Sequence, residues 1–346
     1  MFKIKKDIYL FYYIIKIDSL FYLKKVQVKK IFFFKKRYSK YFILLISIFF
    51  DFLKYTTKKE VSNNSHYIFT FWEPHNSLPG YLKLCMKTWK KYLPPDYKII
   101  MLEYANLRNY LGSKLVNQIL CKDMSLQLQA DAIRVAILYK YGGFWMDADT
   151  IIMNSECLNM FKGSDLIMFG NSKKKKQHIG FIYALKNSTI LKAWLDGIIS
   201  KVKIYKQRLS LKRLFSTEYY IHSYNKLRKW SYLGNGILDN LVKNASENTF
   251  KRIEKNIVYL LPEQIFLKGS FNKRYNDFYF SSMDSMHLLE KCKGILCLHN
   301  SWTPKKYKKM SEEEFQCQDI MLARLLSILL SEDNLYTNTS NLINYY

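Results

Sequence analysis

Two carboxylates separated by one small residue, Asp147 and Asp149 in "GGFWMDADT", close an apolar run that reads as a buried strand. Alternate positions on a strand face the same way. Two carboxylates side by side repel, and burial makes their ionisation costlier. A cation explains such a pair. Mg²⁺ or Mn²⁺ takes one or two carboxylates and completes its shell with phosphate oxygens and water. The chemistry indicated is the holding of a diphosphate through a metal.

A second charged pair stands just upstream, in "MSLQLQADAIRVAILYKYGG", Met124 to Gly143. Leu126, Ala130, Ile133, Ile137 and Tyr141 recur at three- and four-residue steps, the mark of one apolar helix face. Gln127, Asp131, Arg134 and Leu138 line the neighbouring face, so Asp131 and Arg134 meet at i, i+3. Gly142 and Gly143 then end the helix, as glycines do. The chain passes directly into the strand, which brings Asp131 and Arg134 to the end that carries Asp147 and Asp149. In open α/β sheets, ligands bind beyond the carboxyl ends of strands.

The elements that must position these groups are legible on either side. "HYIFTFW", His66 to Trp72, has strand composition. A helix over Tyr81 to Tyr92 is stopped by Pro94 and Pro95, and "YKIIML", Tyr97 to Leu102, is a second strand. "FWMD", "DLIMFG", "HIGFIYAL" and "ILCLH" read as further strands, and Ser188 to Lys243 is mostly helical. "NSKKKK", Asn171 to Lys176, reads as a loop. The order predicts an α/β layer with a mainly parallel central sheet flanked by helices. Ser311 and Glu314 form a capping-box spacing at the start of a C-terminal packing helix.

The chain has 346 residues and a formal net charge of +27. That excess suits an anionic partner, but Lys, Ile, Asn, Tyr and Phe are abundant together, as A+T-rich coding DNA also produces. No nucleic-acid-binding module accompanies it, so no nucleic-acid partner is expected. The six cysteines form no CxxC pair and no zinc-finger spacing, and read as reduced thiols. The first residues, to about Val61, are basic and aromatic-rich and are expected to be a helical extension. Its apolar run, Tyr41 to Phe50, is shorter than the ~20 residues of a membrane-spanning helix. Beside basic flanks it suits a helix lying on an anionic membrane surface. The expected division is an extension over 1–61, a catalytic domain over 62–305, and a packing helix and tail over 306–346.

The block "DAIRVAILYKYGGFWMDADT" resembles the Asp-x-x-Arg … Gly-Gly-(aromatic)-x-x-Asp-x-Asp signature of glycosyltransferase family 32, in its capsular polysaccharide synthesis type. The likeness extends to "IFTFWEP", "YLKLCMKTWKKYLPPDYKIIML" and "LHNSWTPKKYKKMSEEEF", covering about Ser65 to Leu330. It implies a GT-A fold, a nucleoside-diphosphate-sugar donor, Mn²⁺ or Mg²⁺, and a surface-glycan acceptor, lipid-linked in the fullest form of the reading. It also implies retention at the anomeric carbon, although the residues disclose no nucleophile.

Carried over residue by residue, Trp72 would stack on the base. Asp131 and Arg134 would contact donor sugar and ribose, with Gln127 beside them as a substrate contact. Asp147 would serve ribose, sugar and metal, and Asp149 the metal. In the late "HNSW" loop, His299 would be a metal ligand and Ser301 and Trp302 diphosphate contacts. His66, His75, His178, His222 and His287 show no ligand spacing. The expected location is the cytoplasmic face of a membrane, held peripherally.

Another family shares part of this pattern. "FWMDADTI" also fits the nucleophile motif of haloacid-dehalogenase-like phosphatases, with Asp147 attacking phosphorus. That chemistry needs a later Gly-Asp-x-x-x-Asp stretch, which does not follow, and it leaves Asp131 and Arg134 unexplained.

Overall fold

The computed structural model describes residues 66–171, 176–211, 231–254, 270–282 and 294–331. The basic extension and its apolar run, Cys292, His222 and His287 lie outside these residues.

Six strands form the central sheet: β1 His66–Phe71, β2 Tyr97–Leu102, β3 Gly143–Met146, β5 Leu166–Asn171, β6 Lys176–Ala184 and β7 Phe250–Glu254. Their order is β2-β1-β3-β6-β5-β7. β1 pairs parallel with β2 and β3, and β5 with β7, whereas β6 runs antiparallel to both neighbours. The "NSKKKK" segment thus joins an antiparallel pair. A separate two-stranded sheet joins β4 (Thr150–Ile152) to β8 (Ile295–Cys297). Sequence patterning missed β4 and β7, both short and without clear alternation.

Helices cover both faces of the sheet: α1 Gly80–Tyr92, α2 Tyr104–Leu111, α3 Ser113–Ile119, α4 Leu126–Tyr141, α5 Thr189–Leu211 and α6 Asn235–Leu241. The C-terminal part adds α7 Phe271–Tyr279, α8 Lys305–Lys308, α9 Glu312–Gln316 and α10 Met321–Leu330. The expected single C-terminal helix is two. Ile320 is extended, with φ near −136°, and buries its side chain, so α10 leaves in a new direction. The Ser311–Glu314 capping box forms at the start of α9. α9 and α10 share an apolar core with α1, where Tyr81 meets Phe315 at 5.6 Å.

α4 is the buried spine. Ser125 caps it, accepting from Leu128 N–H. Nine of its sixteen residues are buried, Asp131 and Arg134 among them. It ends at Gly142, with φ near +70°, and Gly143 has φ near +90°. A Cβ on Gly143 would lie 2.5 Å from the Tyr67 carbonyl oxygen on β1. Glycine alone supplies both this backbone conformation and this closeness. Gly143→Ala is therefore expected to lose about 2–4 kcal/mol of stability, the cost of backbone strain plus a clash. Urea titration checks it: a midpoint equal to wild type would show that β1 and β3 are not held this closely.

Candidate active site

The aspartate pair does not sit on a strand. β3 ends at Met146, and Asp147 to Asp149 form a turn into β4, closed by Thr150 N–H on the Asp147 carbonyl at 3.0 Å. The turn sends the two carboxylates to different neighbours, which an alternating strand would not do.

Asp147 faces α4. Its Oδ1 accepts from Trp145 Nε1 at 2.7 Å and lies 3.4 Å from Arg134. Arg134 is only 4% exposed, so its pairing with Asp131 is buried and not a solvated surface contact. Its guanidinium lies 3.3 Å from Asp131 Oδ1, donates to the Ile179 carbonyl on β6, and rests 5.1 Å from the centre of the Trp145 ring. Trp145 therefore supports Arg134 with its face and Asp147 with its N–H. Burial pushes the Asp131 carboxyl up to about 6, Arg134 pulls it down, and Asp147 pushes it up.

Asp149 faces the late loop. Its Oδ2 accepts from Asn300 N–H at 2.7 Å, and its carbonyl accepts from Leu298 N–H at 3.0 Å. Burial first and Asp147 second push its carboxyl up to about 7, against the Asn300 N–H. Asn300 is set by Tyr81 on α1, whose hydroxyl donates to Asn300 Oδ1 at 2.5 Å. Lys308 on α8 lies within electrostatic reach of Asp149, with burial lowering its ammonium pKa.

His299 packs against Trp302, tilted by 38° with 3.9 Å between ring centres, and Tyr275 on α7 accepts its backbone N–H at 3.1 Å. The histidine that sequence spacing passed over, His178 on β6, lies 6.3 Å from the His299 ring. A Cβ on Gly180 would meet Asp147 Oδ2 at 2.7 Å and His178 Nε2 at 2.8 Å. These two groups converge on space that only a glycine leaves open. His178 and His299 are 121 positions apart in sequence, so no local spacing could reveal them.

The remaining expected residues are more dispersed. Trp72 follows β1, is half-buried on the α1 core, and its buried Nε1 has no hydrogen-bond partner. Tyr104 and Leu126 are large apolar residues left 44% exposed, Tyr104 at the start of α2 and Leu126 at the start of α4. Gln127 and Ser301 are exposed.

The donor set suits a hard cation that is partly held by its ligand. Asp149 has no ion-pair partner among the described residues. No group of three or more His, Cys, Asp or Glu there is arranged to hold a metal alone. Asp149, with Asp147 and His299 nearby, leaves most of a coordination shell to phosphate oxygens and water, as Mg²⁺ and Mn²⁺ sites do.

The family model for capsular polysaccharide synthesis proteins matches residues 21–310. It begins inside the basic extension, earlier than the sequence likeness starting near Ser65. No curated protein sequence matches the chain. Among solved structures, the PaToxG glycosyltransferase is 17% identical, over 57% of this chain and 82% of its own, with a TM-score of 0.30. The apo-form glycosyltransferase GlyE of Streptococcus pneumoniae TIGR4 is 13% identical, over 77% of this chain and 64% of its own, at 0.34. A second GlyE structure is 12% identical, over 72% and 62%, also at 0.34. The matches to GlyE thus span less than two-thirds of that protein's chain. Likenesses this distant do not bear on chemistry.

Proposed function

This chain belongs to the capsular polysaccharide synthesis protein family, and from that premise we propose that it is a metal-dependent glycosyltransferase. It moves a sugar from a nucleoside-diphosphate donor to a hydroxyl of a surface glycan. The observation that carries the reading is the meeting of Asp131, Arg134 and Asp147 beyond β3, one turn from Asp149 and the His299–Trp302 loop.

When bound, Mn²⁺ or Mg²⁺ supplies charge neutralisation on the departing diphosphate. Asp147, Asp149 and His299 are the residues that would hold it. The protein's own groups do the rest. Asn300 N–H fixes one Asp149 oxygen and so orients the carboxylate. Arg134, held by Asp131, Trp145 and Ile179, presents a rigid cation where donor hydroxyls or phosphate oxygens arrive. Such preorganised charge costs no rearrangement as the reaction proceeds. Trp72 offers an indole face beside β1 for the base, and the Trp302 loop closes over the diphosphate.

The basic, aromatic extension completes the proposal by holding the enzyme on an anionic membrane next to a lipid-linked acceptor. Each basic residue near such a surface contributes ~1 kcal/mol of attraction. Among the described residues no helix is long and apolar enough to cross a membrane. The deciding experiment is nucleotide release from a panel of nucleoside-diphosphate sugars with Mn²⁺ or Mg²⁺. Release that needs the metal and favours one donor is the expected result. No release from any donor, with phosphate released from sugar phosphates instead, would replace the reading with a phosphatase.

A further inference from the structure

Beyond Asp131, the site continues along β6 towards β7 through polar groups that no step above uses. A Cβ on Gly234 would lie 2.9 Å from Asp131 Oδ2 and 2.7 Å from Ile179 Cδ1, so the turn before α6 presses against the donor end of the site. The next residue, Asn235, donates through Nδ2 to the Gln177 carbonyl at 3.0 Å. Its Oδ1 is buried and has no hydrogen-bond partner. Gln177 is 5% exposed, and its Oε1 accepts from Arg252 Nε on β7 at 2.9 Å. The Arg252 guanidinium also lies 5.5 Å from the centre of the Phe250 ring.

Arg252 is thus fixed at one nitrogen and along one face. Among the described residues no carboxylate pairs with it. A guanidinium has five N–H donors, and Gln177 uses one. An arginine needed only to tie β6 to β7 could be replaced by a neutral amide. A planar fork held ready without an acid is the form that grips a carboxylate or phosphate with two parallel bonds. Its position is also suitable. The Trp72 end and the metal end of the site are accounted for by donor base and diphosphate. The acceptor must approach the sugar from another side, and the Gly234–Arg252 line of contacts leads away from Asp131.

We propose that Arg252 and Asn235, joined through Gln177, form an acceptor subsite for an anionic, oxygen-rich group on the glycan being extended. Arg252 supplies the paired donors, and Asn235 Oδ1 accepts from a neighbouring sugar hydroxyl. The inference rests on the glycosyltransferase reading. Two sources share this chemistry, a uronate carboxylate and a phosphate ester of a lipid-linked sugar.

The test uses full-length protein with Mn²⁺ and nucleoside diphosphate present. Binding of methyl glucuronide, a sugar 1-phosphate and neutral methyl glucoside is measured by saturation-transfer NMR, for wild type, Arg252→Gln and Arg252→Lys. The expected result is binding of one anionic ligand over the neutral one. Arg252→Gln should weaken it about 10- to 100-fold, the worth of charge-assisted hydrogen bonds. Arg252→Lys should recover only part of this, and the neutral glycoside should be unaffected. Which anion binds identifies the source. Equal affinity for charged and neutral glycosides, or no effect of Arg252→Gln, overturns the proposal. Should Arg252→Gln not fold, the wild-type preference decides alone. Because binding is read without turnover, failure here is separate from failure of the donor screen.

Discussion

Asp149→Asn is expected to abolish sugar transfer and metal-dependent nucleotide binding while the fold remains intact. The amide keeps an oxygen for the Asn300 N–H but cannot offer a hard cation its charge. Loss of a metal that carries several kcal/mol of leaving-group stabilisation lowers the rate on the order of 10³-fold or more. The same substitution makes a prediction about the metal-free protein. Burial and Asp147 raise the folded-state pKa of Asp149 from 3.8 to about 7. A carboxyl raised on folding favours the folded state at low pH, and stability falls as pH rises from about 4 through about 7. At pH 8 the wild type holds an ionised, crowded carboxylate that the variant lacks. Asp149→Asn should then melt a few degrees higher than wild type at pH 8, a gain of about 1 kcal/mol, and not at pH 4. Adding Mn²⁺ with nucleoside diphosphate should reverse the order. At a hundredfold excess over its dissociation constant it stabilises wild type alone, by ~2.7 kcal/mol. Wild-type turnover by the variant would remove Asp149 from the metal site.

The contrast between the two aspartates marks what the sequence disclosed and what it did not. The i, i+3 meeting of Asp131 and Arg134 follows from helix period alone, and it forms as spaced. The turn at Gly142-Gly143 is equally local. The two carboxylates, by contrast, read as neighbours on one strand, yet they separate because the chain turns at Asp147 to start β4. That turn depends on β8, about 150 residues later, offering β4 an edge. His178 and Tyr275 reach the site in the same non-local way, across a sheet and from a helix. Tyr81 sits inside an ordinary helical pattern, and nothing in its spacing separates a buried core tyrosine from one that orients Asn300. Local periodicity thus disclosed the helix-borne contact of the candidate site. The aspartates of the turn were legible as a pair but not in their orientation, and the His299–Trp302 loop was read only where the family likeness named it.

Arg134→Ala should show the second large effect, and it needs a partner variant to be interpretable. Arg134 is buried between Asp131 at 3.3 Å and Asp147 at 3.4 Å. Removing one member of a buried ion pair leaves a charge uncompensated and costs about 3–5 kcal/mol. Part of that loss is relieved at Asp131 by protonation, since burial already raises its pKa to about 6. The single variant therefore confounds folding with catalysis. The double variant Asp131→Asn with Arg134→Ala removes the stranded charge and should restore most of the stability. It should not restore the rate. If the Arg134 contact tightens as charge develops on the donor, kcat falls more than KM rises. Trp145→Phe supplies the graded control. It keeps a ring beneath the guanidinium but deletes the N–H that fixes Asp147 Oδ1. Its expected loss is about tenfold in kcat/KM, the size of one net hydrogen bond to a charged group. A double variant with wild-type kcat/KM would reduce Arg134 to a packing role. A Trp145→Phe protein as impaired as the double variant would instead place the essential contact on Asp147.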